Sequence, residues 1–319
     1  MNPLISVIIP TYNRADFLLH AVKSVLAQSV RDFEIIVVDD GSTDNTRAAL
    51  AAISNPQLHY HYQSNRGTPA ALNAGLGIAR GEWIARLDSD DEWLPDLLQV
   101  LVTHISRDPS LDVVYARAEG MDKHGSSLPI SVGAPLKFAN DPLTSLLYGD
   151  SVCPIAVMYR RERANRIGNY DESIPNVEDW DLWIRLAARG CRFLYEPRVL
   201  ARYRFHPQNA TANHSPNFEK LLRNRQRVLD KFYARIDIPD AAQQIRAQAY
   251  SNLYRDCAVR MWRARKYNQS VGYLERAARS MPQPVFALPR IFGSFFFHLA
   301  LNGTRAGKWL VNKRAVRTV

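Results

Sequence analysis

An open α/β sheet flanked by helices is the fold class predicted for the front of the chain, with a helical region behind it. Three observations carry that expectation. Compact apolar runs bounded by polar residues recur at Leu4–Ile9, Phe33–Val38 and Trp83–Leu87, as strands buried on both faces do. Segments with helical spacing lie between them, and this regular alternation argues for strand–helix units and a parallel arrangement. Each run also ends in a polar or acidic cluster: Pro10-Thr11-Tyr12-Asn13, Asp39-Asp40 and Asp88-Ser89-Asp90-Asp91.

In order, Leu4–Ile9 is stopped by Pro10, which ends a first strand. Phe17, Leu18, Ala21, Val22, Val25 and Leu26 then repeat at helical spacing, with Asp16 near the start, and place a helix over 15–27. After the second strand, Thr43-Asp44-Asn45 can cap an Ala-rich helix to about Ile53. Leu58–Tyr62 alternates as a third strand, Asn65-Arg66-Gly67 turns, Pro69–Ala79 is helical, and Gly81 leads into the fourth strand. A helix follows Pro95 to about Ser106, and Val113–Ala116 is a strand. Residues 120–150, rich in Gly, Pro and Ser, are expected as a long loop forming part of a substrate wall. Ala156–Tyr159 reads as a strand and Arg161–Ile167 as a short helix. A helix opening at Glu178 and ended by Gly190 buries Leu182, Trp183, Leu186 and Ala187, and Cys191–Tyr195 and Val199–Tyr203 are two further strands.

Ligands of open α/β sheets sit outside the carboxyl ends of the strands, so the three clusters are expected along one rim. Three acids within Asp88–Asp91 repel one another, and a divalent cation with oxygen ligands would relieve them. The alternative is a solvated turn with an Asp cap for the next helix. Glu178, Asp179 and Asp181 open a helix, where its dipole favours negative charge. Capping accounts for one or two of them; a third, beside two tryptophans, asks for another role.

Composition is that of an ordinary globular protein, 46% hydrophobic and 23% charged. Cys153, Cys191 and Cys257 are odd in number and lack C-x-x-C spacing, which indicates neither a disulfide framework nor zinc and fits a reducing compartment. Met1-Asn2-Pro3 meets the first strand without a basic leader, so no signal peptide and a cytoplasmic location are expected. Charge is uneven: residues 217–319 carry 20 Lys+Arg against 6 Asp+Glu, whereas the chain as a whole is only +10. Such tails pair with nucleic acid or anionic lipid. No nucleic-acid recognition motif accompanies this one, so no nucleic-acid partner is expected. Gly75–Arg80 breaks the dinucleotide fingerprint at its last position and precedes a strand, and no Walker A sequence or G-x-S-x-G elbow occurs. A nucleotidyltransferase would carry a Gly-rich phosphate loop near the first strand, which Pro10–Asn13 does not offer. A catalytically silent sugar- or nucleotide-binding module would be expected to have lost Asp90 or Asp179, and both are present.

Taken in order, Pro10-Thr-Tyr-Asn-Arg, Val37-Val-Asp-Asp-Gly-Ser-Thr-Asp, Asn73-Ala-Gly75 with Arg80-Gly-Glu, Leu87-Asp-Ser-Asp-Asp and Glu178-Asp-Trp-Asp-Leu-Trp resemble the family 2 glycosyltransferases over roughly residues 4–210. The resemblance implies an inverting, nucleotide-sugar-dependent enzyme with the GT-A fold, an open mixed sheet. It divides the chain into a catalytic domain, 1–216, and a basic helical region, 217–319. It implies nucleoside binding by Pro10, Thr11, Tyr12, Asn13, Asp39 and Asp40, with Asn73, Asp88 and Ser89 continuing the nucleotide site. Leu72 stands where many members carry a phosphate-facing Arg, which shifts that contact to Arg66 or Arg86. Manganese or magnesium would sit on Asp88 and Asp90, with His206 either a further ligand or structural. Asp179 would be the catalytic base, Glu178 an orienter or sugar contact, and Asp181 a support of the helix. UDP is the base expected by resemblance, with dTDP and GDP open. The acceptor would be a saccharide or lipid-linked hydroxyl in bacterial surface polysaccharide or glycolipid assembly.

Behind the resemblance, Tyr254–Pro282 fits one tetratricopeptide-like helix pair; a lone unit cannot bury a repeat core, so an ordinary helical hairpin is favoured. Ile291–Leu301 is too short to span a bilayer. With Arg290, Arg305, Lys308, Trp309, Lys313, Arg314 and Arg317 around it, it suits either the interface of an anionic membrane, making the enzyme peripheral, or a buried terminal helix. The sequence sets no oligomeric state.

Overall fold

The computed structural model describes residues 2–209 and 218–284 and, beyond them, 287, 289, 291–293 and 295. In chain order the elements are β1 (Ile5–Thr11), α1 (Ala15–Leu26), β2 (Phe33–Asp40), α2 (Thr46–Ala51), β3 (Leu58–Gln63), α3 (Thr68–Ile78), β4 (Trp83–Arg86), β5 (Glu92–Trp93), α4 (Leu97–Arg107) and β6 (Val113–Met121). There follow β7 (Ser127–Val132), α5 (Pro142–Tyr148), β8 (Val157–Arg160), α6 (Arg161–Arg166), α7 (Glu178–Ala187) and β9 (Phe193–Arg204). Then come α8 (Phe218–Tyr233), α9 (Asp240–Gln244), α10 (Arg246–Arg263) and α11 (Tyr267–Arg279).

The chain divides into two compact units, Met1–Leu146 with Asp150–Ala210, and Leu147–Gly149 with Thr211–Val319. The boundary expected at 216/217 lies outside the described residues. The first unit holds one nine-stranded sheet in the order β3-β2-β1-β4-β8-β6-β9-β5, with β7 paired to β6. The strands β3, β2, β1 and β4 run parallel, β8 is antiparallel to β4 and β6, β9 is parallel to β6, and β5 is antiparallel to β9. The sheet is therefore open and mixed, as the resemblance implies.

Its central strands β1, β2 and β4 are buried along their whole length, which is why they read as unbroken apolar runs. Leu18, Ala21, Val22 and Val25 of α1 and Leu97, Leu98 and Leu101 of α4 join the core beside Ile5, Val7, Ile9 and Trp83. On α3, Gly75 lets the helix lie against the strands, since a Cβ there would stand 2.6 Å from Ile8 Cγ2. Gly81 is tighter: a Cβ would be 2.5 Å from the Ser6 backbone nitrogen.

Two expectations are corrected. Residues 120–150 are not one long loop: β6 continues to Met121, a turn on Asp122 leads into β7, and α5 follows. The β7 strand Ser-Leu-Pro-Ile-Ser-Val is an exposed edge carrying Pro129, so its periodicity is weak and pairing with β6 makes it a strand. The two strands expected at Cys191–Tyr195 and Val199–Tyr203 are one, β9, which begins at Phe193 and passes Pro197 because its register with β6 shifts at Ala116–Ala118.

In the second unit α10 and α11 form the expected helical hairpin. Ala258, Leu274, Ala277 and Ala278 make its core together with Ile291 and Phe295, which are 7% and 2% exposed. Of the described part of the apolar terminal stretch, Ile291 and Phe295 are thus buried and Phe292 is partly so. Arg290, Arg305, Lys308, Trp309, Lys313, Arg314 and Arg317 lie outside the described residues. Among the described residues no helix is long and apolar enough to cross a membrane.

Candidate active site

Parallel pairing aligns the strand ends: Thr11 of β1 lies opposite Asp39 of β2, and Leu87 N, just beyond β4, donates to Ile8 O at 3.2 Å. Pro10–Asn13, Asp39-Asp40 and Asp88–Asp91 consequently share one rim. Asn13, at φ 52°, staples two of these ends, its backbone N–H donating to Ser42 Oγ at 2.9 Å and its Oδ1 accepting from Thr43 N at 2.8 Å. Tyr12 next to it is 48% exposed, and Thr11 Oγ1 is buried without a hydrogen-bond partner among the described residues.

The two acids ending β2 are buried and occupied. Asp39 accepts from Ser42 N at 2.8 Å and from Tyr60 Oη at 2.7 Å, which with burial raises the Tyr60 hydroxyl well above its usual range. Asp40 accepts from Gln63 Nε2 at 2.7 Å, Arg66 N at 2.9 Å and Gly67 N at 2.7 Å, shaping the turn into α3.

Arg66 and Asn73 converge on the turn 168–172 rather than standing free. Arg66 pairs with Glu172 at 2.8 Å, and Asn73 both donates to Tyr170 O and accepts from Tyr170 N at 3.0 Å. Glu172 carries no motif of its own; only its proximity in the fold marks it.

Arg86 is likewise turned inward, 5% exposed at its side chain, and not toward the rim where a phosphate contact was expected. Its Nε donates to Asp88 Oδ1 at 2.9 Å and its Nη2 to Oδ2 at 3.3 Å, while Nη1 stands 3.2 Å from Glu178 Oε1. Burial works against its charge, but Asp88, Glu178 and Asp179 more than restore it. One guanidinium thus joins the β4 end to the first turn of α7. Burial pushes Glu178 up to about 7, with Arg86 opposing and Asp179 adding to the rise. Asp179 is half-buried, and its Oδ1 accepts from Trp180 N at 2.8 Å. Asp181 supports the helix as expected, taking Arg185 Nε at 2.6 Å, while Arg185 reaches Ile167 O at 2.9 Å.

Burial also raises the Asp88 carboxyl, opposed by Arg86 and reinforced by Asp90 and Asp179, and raises Asp91 further with Asp90 and Asp88 adding to it. Asp91 accepts from Arg204 N at 2.6 Å, and Asp90 Oδ2 lies 2.8 Å from His206 Nε2. The His206 ring stacks on Phe17 at 5.2 Å, and Ser89 is 7% exposed in the turn between the acids. Among the described residues no group of three or more His, Cys, Asp or Glu is already arranged around a common point for a metal ion. The structure therefore gathers the predicted residues into neighbouring clusters: Asn13 with the Asp39 turn, Arg66 with Asn73, Asp88 with Glu178 and Asp179, and Asp90 with His206.

The fold of this sheet has counterparts of known structure. S. aureus TarS residues 1–349 in complex with UDP-GlcNAc aligns over 90% of this chain and 84% of its own, with TM-score 0.64 and 21% identity. The mannosyltransferase PcManGT from Pyrobaculum calidifontis, in complex with GDP-Man and Mn2+, aligns over 99% and 85%, with TM-score 0.60 and 21% identity. The fold is that of the GT-A glycosyltransferases. Residues 6–166 match the family described as Glycosyl transferase family 2, and the chain belongs to that family. Two curated relatives agree: a Rickettsia felis protein named as an uncharacterized glycosyltransferase is 32% identical over 222 residues, 67% of this chain, and the chondroitin synthase of Escherichia coli is 31% identical over 190 residues, 59% of this chain. Both are longer; the chain spans 36% and 27% of their lengths.

Proposed function

We propose that this glycosyltransferase moves a sugar from a UDP-sugar to an acceptor hydroxyl with inversion, Asp179 acting as base. The observation that carries the reading is the Arg86 junction, which sets the candidate base at the start of α7 beside the acidic end of β4. Asp179 takes the acceptor hydroxyl's proton as that oxygen bonds to the anomeric carbon opposite the breaking bond to the diphosphate. Pro10, Thr11, Tyr12, Asn13, Asp39 and Asp40 form the nucleoside end of the site. The filled hydrogen bonds of Asp40 support a shaping role for it, and Tyr12 offers an exposed aromatic face. Arg66, Asn73 and Ser89 line the way to the diphosphate.

A divalent cation fits the acids at the β4 end. Asp88 is held above its usual range by burial with Asp90 and Asp179 adding to it, Asp91 by burial with Asp90 and Asp88 adding, and Asp90 stands beside an imidazole nitrogen. Carboxylate oxygens with one imidazole suit manganese or magnesium, and Asp88, Asp90 and His206 would hold it. When bound, such an ion neutralises charge developing on a departing diphosphate. The Mn2+ in the mannosyltransferase complex supports this assignment.

UDP as the carrier draws support from the TarS complex, and a polysaccharide acceptor from the kinship with chondroitin synthase. The 20 Lys+Arg against 6 Asp+Glu in residues 217–319 suit an anionic counterpart, either the acceptor or the cytoplasmic membrane face that carries it. Because Ile291 and Phe295 are buried, charge rather than apolar insertion would make that contact.

The test is Asp179→Asn assayed with a panel of UDP-sugars. Transfer should fall at least about 10³-fold, in the range of losing a general base, with UDP affinity nearly unchanged. Equal loss of binding and turnover would reassign Asp179 to the donor site.

A further inference from the structure

Arg86 is placed where it cannot serve as a surface charge, and what it touches belongs to two different elements. Its guanidinium makes a two-point fork on Asp88, two residues beyond it in sequence, and faces Glu178 at 3.2 Å across the sheet end. Both side chains of that second pair are nearly sealed from solvent, 5% and 3% exposed. The pair is incompletely hydrogen-bonded: Arg86 Nη1 and Glu178 Oε2 have no partner among the described residues. The contact between the end of β4 and the first turn of α7 is therefore a charge contact rather than a filled hydrogen-bond network.

That turn has little freedom elsewhere. Trp180 is 1% exposed with its Nε1 donating to Leu146 O at 2.9 Å, and Trp183 is fully buried. Arg185 ties the next turn to Asp181 and to the carbonyls of Ile167 and Asn169. Asp179 is flanked by the anchored Trp180 on one side and by Glu178 on the other. Any rotation that parts Glu178 from Arg86 carries Asp179 with it.

We propose that Arg86 is a positioning residue, holding Glu178 and through it the Asp179 carboxylate at a fixed place relative to Asp88. The inference rests on the reading of Asp179 as base. A planar fork can serve two carboxylates at once, whereas lysine, a point charge, can satisfy one. A displacement of about 1 Å in a reacting group costs on the order of 10²-fold in rate.

The experiment compares R86M, R86K, E178Q and R86M/E178Q in the full chain. Thermal unfolding needs no substrate. R86M strands the Glu178 carboxylate in the interior, and E178Q leaves Arg86 with Asp88 alone, so the double variant should melt higher than the sum of the two losses predicts. Additive losses would overturn the coupling. Turnover is followed as UDP release from UDP-GlcNAc with Mn2+. R86M should lose about 100-fold in kcat with the donor KM changed less than about fivefold, R86K should lose about tenfold, and R86M/E178Q should be no slower than R86M. A folded R86M, or R86K if R86M does not fold, that keeps wild-type kcat would refute the positioning role. D179N, run in parallel, separates the two ideas. Lost turnover in D179N with intact turnover in R86M sinks only the positioning role, while intact turnover in D179N sinks the base assignment itself.

Discussion

Removing the Asp40 carboxylate separates a residue that shapes the nucleoside end from one that spends its charge on ligand. Its two oxygens accept three hydrogen bonds, from Gln63 Nε2, Arg66 N and Gly67 N, at 2.7, 2.9 and 2.7 Å. The side chain belongs to a residue only 4% exposed, and Gly67 holds φ at 91°, so the donors cannot swing easily toward other partners. Hydrogen bonds to a charged acceptor are worth about 1.5–3 kcal/mol each when fully buried. These are part-buried, so about 1 kcal/mol apiece is the appropriate scale and Asp40→Ala should cost about 3 kcal/mol. Asp40→Asn keeps an acceptor at one oxygen and loses the other, and should cost about a third to a half as much. Urea unfolding followed by tryptophan fluorescence reads the difference. With a slope of about 3 kcal/mol per molar urea, the Asp40→Ala midpoint falls by about 1 M. A loss under about 1 kcal/mol, accompanied by a more than 30-fold drop in UDP affinity, would mean that the carboxylate is available to ligand and the turn does not need it.

Three further outcomes are expected. Gly81→Ala places a Cβ 2.5 Å from Ser6 N and 2.7 Å from Ile5 C, backbone atoms of a central strand, so it should cost about 3 kcal/mol or more by calorimetry; a cost under 1 kcal/mol would show that β1 can yield. At Glu196 burial favours the neutral acid, but bonds from Arg198 and His104 and the charge of Arg198 outweigh it and hold the carboxyl at about 2 rather than 4.5. The native state then binds fewer protons than the unfolded chain in that window, so this contribution is present above pH 4.5 and lost as pH falls toward 2. Glu196→Gln should flatten the decline of Tm over the same range, and an unchanged slope would refute the assignment. Asp90→Ala should abolish the gain in UDP affinity given by Mn2+, measured by titration calorimetry; an unaltered metal dependence would move the cation elsewhere.

Sequence alone carries the sheet centre and the rim because both are local signals. The apolar runs of β1, β2 and β4 announce strands buried on both faces, and acids immediately after them can lie only at carboxyl ends. What escapes is whatever depends on distant partners. Glu34 reads as an interruption in β2, yet it is 3% exposed because Ser6 Oγ and Arg80 satisfy it from 28 and 46 positions away. The β7 edge is invisible for a related reason: Leu128, Pro129 and Ile130 have no buried face of their own, and β6 supplies the ladder. Pro197 reads as a strand break until the register shift on β6 accommodates it. Arg86 is the instructive case, for its charge at a strand end suggests a phosphate while its burial assigns it to two carboxylates.

The Asp91 carboxylate accepts the backbone N–H of Arg204, 113 positions later, and Asp90 meets His206 across 116. During synthesis the acidic strand end therefore exists long before the segment that fixes it. A nascent chain released only through residue 166, the extent of the family match, holds the carboxyl ends of β1, β2 and β4 but neither Asp179 nor the Arg204–His206 clasp. Asp90 and Asp91 would lack these partners, while Asp88 would keep Arg86, and closing loops of this length is slow because the ordering entropy precedes the reward. On the proposed function, nucleotide binding should accordingly be acquired late, as the chain lengthens past β9.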